Sequence, residues 1–212
     1  MEALDELLFT VLTQHTSDSN AAMAYSAMRE RYPTWGEVLE ADSDLLADAI
    51  RHGGLANQKA PRLQAILAET LKRRGEFMID FLADLPLDDA REWLTSLPGV
   101  GPKTAAVTLA FSLGMPAMPV DTHVYRIARR LGLISLTTSV DEAHVIMESQ
   151  VPPERIYAYH VQLIAHGRRT CRAQRPLCDD CPLADLCPSA DAFKAAAAAP
   201  VYHRPNRRGK NL

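Results

Sequence analysis

The 212-residue sequence has only four cysteines, and all of them fall between Cys171 and Cys187. Two disulfides there would close only tiny loops, which excludes a secreted, cross-linked scaffold; thiols clustered in this way more naturally bind metal. Glycine is scarce at 10 residues and proline stands at 14, against 47% hydrophobic residues, so collagen-like and disordered classes fall away. Long apolar runs are missing too. The longest uncharged stretch, Thr104 to Val120, includes Pro116, Pro119, Thr and Ser and falls short of the roughly 20 apolar residues that a spanning helix needs. Leu7 to Leu12, the first apolar stretch, follows Asp5 and Glu6 and lacks the pattern of a leader. A globular, monomeric, cytoplasmic protein without membrane contact is expected, associated with the nucleoid if the source is bacterial.

The overall charge of −3 conceals an asymmetry. Met1 to Met115 holds 10 Lys/Arg against 17 Asp/Glu, whereas Pro116 to Leu212 holds 13 against 9. The basic surface therefore belongs to the second half. Alternation of period two is absent; apolar residues recur three and four apart, which predicts an all-α chain of about ten helices. Leu4, Leu7, Leu8, Val11 and Leu12 make one stripe, and Ala21, Ala24, Tyr25 and Met28 another that starts near Asp18 and stops at Pro33. Thr34 with Glu37 and Ser139 with Glu142 have capping-box spacing. Leu45, Leu46, Ala49 and Ile50 run into Gly53-Gly54, Leu63 to Leu71 ends at Gly75, and Leu87 to Leu97 follows Pro86. Further helices are predicted from Pro102 to about Leu113, from Asp121 to Gly132 and from Pro153 to Gly167. Ala195 to Ala199 and the basic end Arg204 to Lys210 read as a tail.

Three arrays carry chemistry. Leu97-Pro98-Gly99-Val100-Gly101-Pro102-Lys103-Thr104 sets two glycines before a helix whose first residue is proline. Such a turn leaves amide hydrogens free for a phosphate, and the positive end of the helix favours the neutral amine of Lys103. A plain helix-to-helix turn with a solvated lysine would need the same residues. Eighteen positions on, Asp121 in Val120-Asp121-Thr122-His123 stands where the next helix should begin; it is a natural cap, and the chain is long enough to return it to Lys103. Cys171, Cys178, Cys181 and Cys187 follow as C-x6-C-x2-C-x5-C around a short basic loop bearing Arg172 and Arg175. Four thiolates suit tetrahedral zinc or a 4Fe-4S cluster, and the single short pair, Cys178 and Cys181, is one fewer than zinc ribbons usually present.

In this order the three arrays, over roughly residues 4 to 188, resemble the endonuclease III family of helix-hairpin-helix DNA glycosylases. The resemblance implies a two-domain helical fold: a six-helix barrel with the hairpin over 1–115, an iron–sulfur domain over 116–188 and a C-terminal tail over 189–212. It implies base-excision repair of oxidised pyrimidines in double-stranded DNA, with nicking at abasic sites. Lys103 matches the Schiff-base lysine, Asp121 the catalytic aspartate and the four cysteines the ligands of a 4Fe-4S cluster. Gln14 matches the glutamine that fills the gap left by a flipped nucleotide, and Leu55 the wedge. Gly99, Gly101, His123, Arg172 and Arg175 are the further DNA contacts it implies. Two departures stand out. Pro102 replaces the arginine that often precedes the lysine, and the family's leading helix has no counterpart before Leu4, a place that the tail after Pro188 is positioned to fill.

Overall fold

The structure, a computed structural model, describes residues 1–198; the basic end Arg204 to Lys210 lies outside the described residues. Among those described there are eleven α-helices and no strand. The first six are α1 (Ala3–Thr13), α2 (Asp18–Arg31), α3 (Trp35–Glu40), α4 (Ser43–Ala49), α5 (Ala56–Arg74) and α6 (Leu87–Thr95). They are followed by α7 (Pro102–Phe111), α8 (Thr122–Arg130), α9 (Val140–Gln150), α10 (Ile156–Arg169) and α11 (Ala190–Ala198). Both capping boxes form, at Thr34 with Glu37 and at Ser139 with Glu142.

Three details differ from the sequence expectation. Residues 153–155 form a separate 3₁₀ turn before α10, closed by the Arg155 amide on the Pro152 carbonyl at 2.8 Å in the tighter three-residue pattern. Leu45, expected inward, is half exposed, since α4 is only seven residues long and buries Leu46 and Ala47 instead. The expected tail begins as α11: Ala190 is buried, Phe193 lies under the Arg130 guanidinium, and the Ser189 hydroxyl donates to the Arg130 carbonyl at 2.9 Å.

Two helices organise the first half. The apolar stripe of α1 is buried along its length, and α7 is buried on nearly every side from Thr104 to Leu109, as a helix with no polar face must be. The two pack on each other, with α2 and α5 also against α1 and α6 against α7. Cutting one of these leucines back to alanine would cost about 2–5 kcal/mol. Buried apolar side chains fall into two clusters, one from Ala3 to Ala117 and one from Met118 to Leu163.

The junction between the clusters is held by polar groups. His144 Nδ1 donates to the Met118 carbonyl and His160 Nδ1 to the Pro119 carbonyl, each at 2.8 Å. Glu148 accepts the Met118 amide at 2.9 Å and a two-pronged contact from Arg91 of α6 at 2.7 and 2.9 Å. A carbonyl only accepts, so each imidazole carries a proton on Nδ1.

A second polar staple joins two loops of the first half. Lys59, in the first turn of α5, is almost wholly buried, and its ammonium donates to the Leu12 carbonyl at 2.6 Å and to the Gly53 carbonyl at 2.8 Å. It ties the end of α1 to the turn that precedes Leu55. Lys59→Met fills the space but leaves both carbonyls bare; a loss of roughly 2–4 kcal/mol in urea unfolding is expected, and an unchanged midpoint would refute the staple.

Burial pushes both His144 and His160 below their ordinary value of 6.5. The unfolded chain therefore takes up protons that the folded chain refuses, and stability falls as pH drops below 6.5. Urea unfolding between pH 7.5 and 5.5 should show this slope, and His144→Asn with His160→Asn should flatten it; a double variant with the full slope would rule the pair out as its source.

Candidate active site

Three helices form a cavity of about 270 Å³, and each contributes residues at helical spacing. From α7 come Lys103, Val107 and Phe111; from α1 Glu6, Phe9, Thr10 and Thr13; from α10 His160, Val161, Ile164 and Arg168. Asp18 and Asp121 complete the lining. Lys103 and Asp121, eighteen residues apart in sequence, thus face one space, as chain length allowed.

Asp121 caps α8. Its Oδ1 accepts the amides of His123 at 2.9 Å and Val124 at 2.8 Å, while Oδ2 has no hydrogen-bond partner among the described residues. Capping therefore fixes the carboxylate and leaves one oxygen available. Burial pushes the Lys103 amine below the usual lysine value, against the pull of Asp121, then Asp18 and Glu6. Its place in the first turn of α7 acts in the same direction, since the positive helix end disfavours an ammonium.

The hairpin before Lys103 follows the expected pattern. Gly99 has φ +73°, and an added Cβ would stand 2.5 Å from the Arg62 side chain; only glycine fits there. Gly101 is extended and precedes Pro102, the first residue of α7. Arg62 reaches on to Gln14, donating to its Oε1 at 2.9 Å, and Gln14 Nε2 donates to the Thr104 hydroxyl at 3.3 Å. Gln14 is thereby held over the start of α7. Leu55 is half exposed with φ +50°, a left-handed conformation that costs a leucine energy. The other non-glycine residues with positive φ are His15, next to Gln14, and Arg175. All three strained residues thus coincide with, or adjoin, positions singled out from the sequence.

Arg172 and Arg175 are exposed. His123 sits elsewhere: it packs on α10, where a Cβ on Gly167 would approach its Nδ1 to 2.7 Å, and it does not line the cavity. Sequence reasoning missed Glu6, Thr10, His160 and Arg168. The first two were legible as polar positions one turn apart inside an apolar helix; nothing in the sequence brings α10 to α1 and α7.

Cys171, Cys178, Cys181 and Cys187 line one small enclosed space with His166, Leu183 and Phe193. Arg130 donates to the Cys171 sulfur at 3.2 Å and to the Arg172 and Ala173 carbonyls at 2.7 and 2.9 Å. Among the described residues, no three His, Cys, Asp or Glu side chains converge closely enough to hold a single ion. The four thiols nonetheless line one space, and a cubane takes one thiolate at each of its four irons, so the donor set fits such a cluster.

Comparison with known proteins agrees. The profile of the HhH-GPD superfamily base excision DNA repair proteins matches residues 8–153, and that of the iron–sulfur binding domain of endonuclease III matches residues 171–187. The chain belongs to the endonuclease III family. An endonuclease III of Thermotoga maritima is 35% identical over 175 residues, covering 82% of this chain and 78% of that one. An Arabidopsis thaliana protein described as a DNA glycosylase is 34% identical over 165 residues; the match takes in 78% of this chain and 56% of the plant protein's length. A trapped covalent endonuclease III–DNA intermediate superposes with a TM-score of 0.80 at 31% identity, covering 92% of this chain and 87% of that one. The fold is that of endonuclease III, and the cofactor is a 4Fe-4S cluster.

A buried amine that resists protonation weakens the fold that holds it. Lys103→Met should therefore raise the melting temperature at neutral pH. A lower midpoint would mean that the ammonium is a net stabiliser.

Proposed function

We propose that the chain is a bifunctional DNA glycosylase and abasic-site lyase acting on oxidised pyrimidines in double-stranded DNA. The observation that carries this reading is the shared cavity of Lys103 and Asp121. A lysine with a depressed pKa beside an aspartate is equipped to attack a sugar carbon and then manage the protons. No helix among the described residues is long and apolar enough to cross a membrane.

In the proposed reaction the neutral Nζ of Lys103 bonds to C1′ of the everted nucleotide as the bond from C1′ to the base breaks. The departing base carries off the electron pair and is protonated as it leaves. Oδ2 of Asp121 offsets the positive charge that grows on the sugar and accepts a proton from the attacking amine. The nitrogen lone pair then opens the sugar ring: the C1′–O4′ bond breaks, O4′ takes the proton that Asp121 had accepted, and a Schiff base forms at C1′. It acidifies C2′; loss of that proton expels the 3′ phosphate and the strand is cut. Phosphates dock on the amides around Gly99 and Gly101, while Gln14 and Leu55 fill and prop the gap in the duplex. The strain at Leu55 and the grip of Arg62 on Gln14 support these roles. Arg172 and Arg175 face phosphates from the loop that the cluster pins, and His123 is left to pack α8 on α10.

Cys171, Cys178, Cys181 and Cys187 hold the 4Fe-4S cluster, whose part here is to brace that loop. The division into a barrel over 1–115, a cluster domain over 116–188 and a tail from 189 belongs to the same proposal, supported by the change of hydrophobic cluster after Ala117.

Borohydride should trap a covalent complex between the protein and duplex DNA that holds an oxidised pyrimidine. Trapping should vanish in Lys103→Gln, and base release should fall by roughly 10²-fold or more in Asp121→Asn. A complex that persists in Lys103→Gln would overturn the assignment of the nucleophile.

A further inference from the structure

The polar groups around the cavity can be accounted for one by one. Lys103 and Asp121 serve the chemistry proposed above. Asp18 and Arg168 pair with each other at 2.8 Å, Thr13 donates to the Thr10 carbonyl at 2.7 Å, and Nδ1 of His160 is committed to Pro119. Glu6 is left over. Its Oε1 accepts the Thr10 hydroxyl at 3.2 Å, whereas Oε2 has no hydrogen-bond partner among the described residues.

The position of Glu6 is unusual for its helix. It follows Asp5, is flanked on α1 by the buried Leu4, Leu7 and Leu8, and shares the cavity wall with Phe9, Val107 and Phe111 as well as with Thr10, Thr13 and Lys103. A carboxylate in such a wall loses hydration, and burial accordingly pushes the Glu6 carboxyl above its usual range. An N–H donor arriving in the cavity would restore what burial removes. Lys103 and Asp121 attend to the sugar, so the group closest to such a wall in a bound nucleotide is its base.

We infer that Glu6 is a specificity-determining residue: its free oxygen accepts a hydrogen bond from an exocyclic amino group of the everted base, selecting cytosine-type over uracil-type lesions. Carboxylates recognise cytosine through its 4-amino group. A uracil-type base carries a carbonyl oxygen at that position, and two acceptors facing each other in a partly dry cavity repel. Thr10 supports the choice, because its hydroxyl already occupies Oε1 as donor and keeps Oε2 turned to other partners.

This inference rests on the glycosylase reading, and one set of substrates separates the two. Duplexes holding 5-hydroxycytosine or 5-hydroxyuracil differ at the group that Glu6 would read, while a duplex with a preformed abasic site has no base to read. In single-turnover assays the native protein should release 5-hydroxycytosine about tenfold faster than 5-hydroxyuracil. Glu6→Leu should bring that ratio close to one. Glu6→Gln, whose amide can donate as well as accept, should turn it toward 5-hydroxyuracil. Glu6 also lines the cavity beside Lys103, so an effect of either substitution on the amine would change both lesions and the abasic duplex alike and cancel in the ratio. A ratio that neither variant moves would overturn the role of Glu6. If Glu6→Leu does not fold, Glu6→Gln decides alone, since it keeps the bond to Thr10. Native protein that nicks no abasic DNA would sink the lyase reading and this one with it; intact nicking with an unmoved ratio would sink only this one.

Discussion

Two neutral imidazoles and one carboxylate hold the backbone at Met118 and Pro119, and the relation between Lys103 and Asp121 depends on that clamp. Lys103 stands at the start of α7, fixed by the helix that fills the centre of the first cluster. Asp121 is reached only after the chain has left that helix, turned and crossed into the second cluster. Without the bonds from His144, His160 and Glu148, the segment from Met115 to Val120 would have to be positioned by apolar contact alone, which sets depth better than direction. Hydrogen bonds set direction.

The same logic extends along α8. At one end of this helix Asp121 is fixed by the amides it caps; at the other, Arg126 donates to the Gly167 and Cys171 carbonyls and Arg130 to those of Arg172 and Ala173. Gly167 lets α10 come close enough for this to happen, because any larger residue would strike His123 and Arg126. One short helix is therefore fastened to the cavity at its N-terminal cap and to the cysteine loop at its last turn. Any displacement of that loop must be borne by α8 or by these carbonyl bonds.

Much of this was legible in the sequence because it is local. Helix periodicity, both capping boxes, the glycine turn and the cap at Asp121 each involve residues within four positions of one another, where a pattern has one physical reading. The cysteine spacing was legible for the same reason: four thiols in one short segment describe a donor set, and the family resemblance carried by all three arrays pointed to the 4Fe-4S cluster. What could not be read was contact across long separations. Lys59 is buried on two carbonyls, one of them 47 residues away, and no local pattern announces it. Nor does any local pattern single out His144 or His160. Leu45, counted inward by periodicity, lies outside because a helix of seven residues cannot bury a full stripe.

The departures from local rules are concentrated rather than scattered. Left-handed residues at His15 and Leu55, a buried ammonium at Lys59, an amine of lowered pKa at Lys103 and a carboxyl of raised pKa at Glu6 all lie in or beside the ends and inner faces of α1, α5 and α7. Four of the five would be relieved by a plain substitution: glycine for the strained backbone at His15 and Leu55, methionine or leucine at Lys103 and Glu6; only Lys59 is satisfied in place, by its two carbonyls. A sequence optimised for stability alone would not keep those four within three helices. Two of them, Glu6 and Lys103, line the cavity itself: an accidental void is lined by residues content in their places, whereas these two are costly there until a partner arrives.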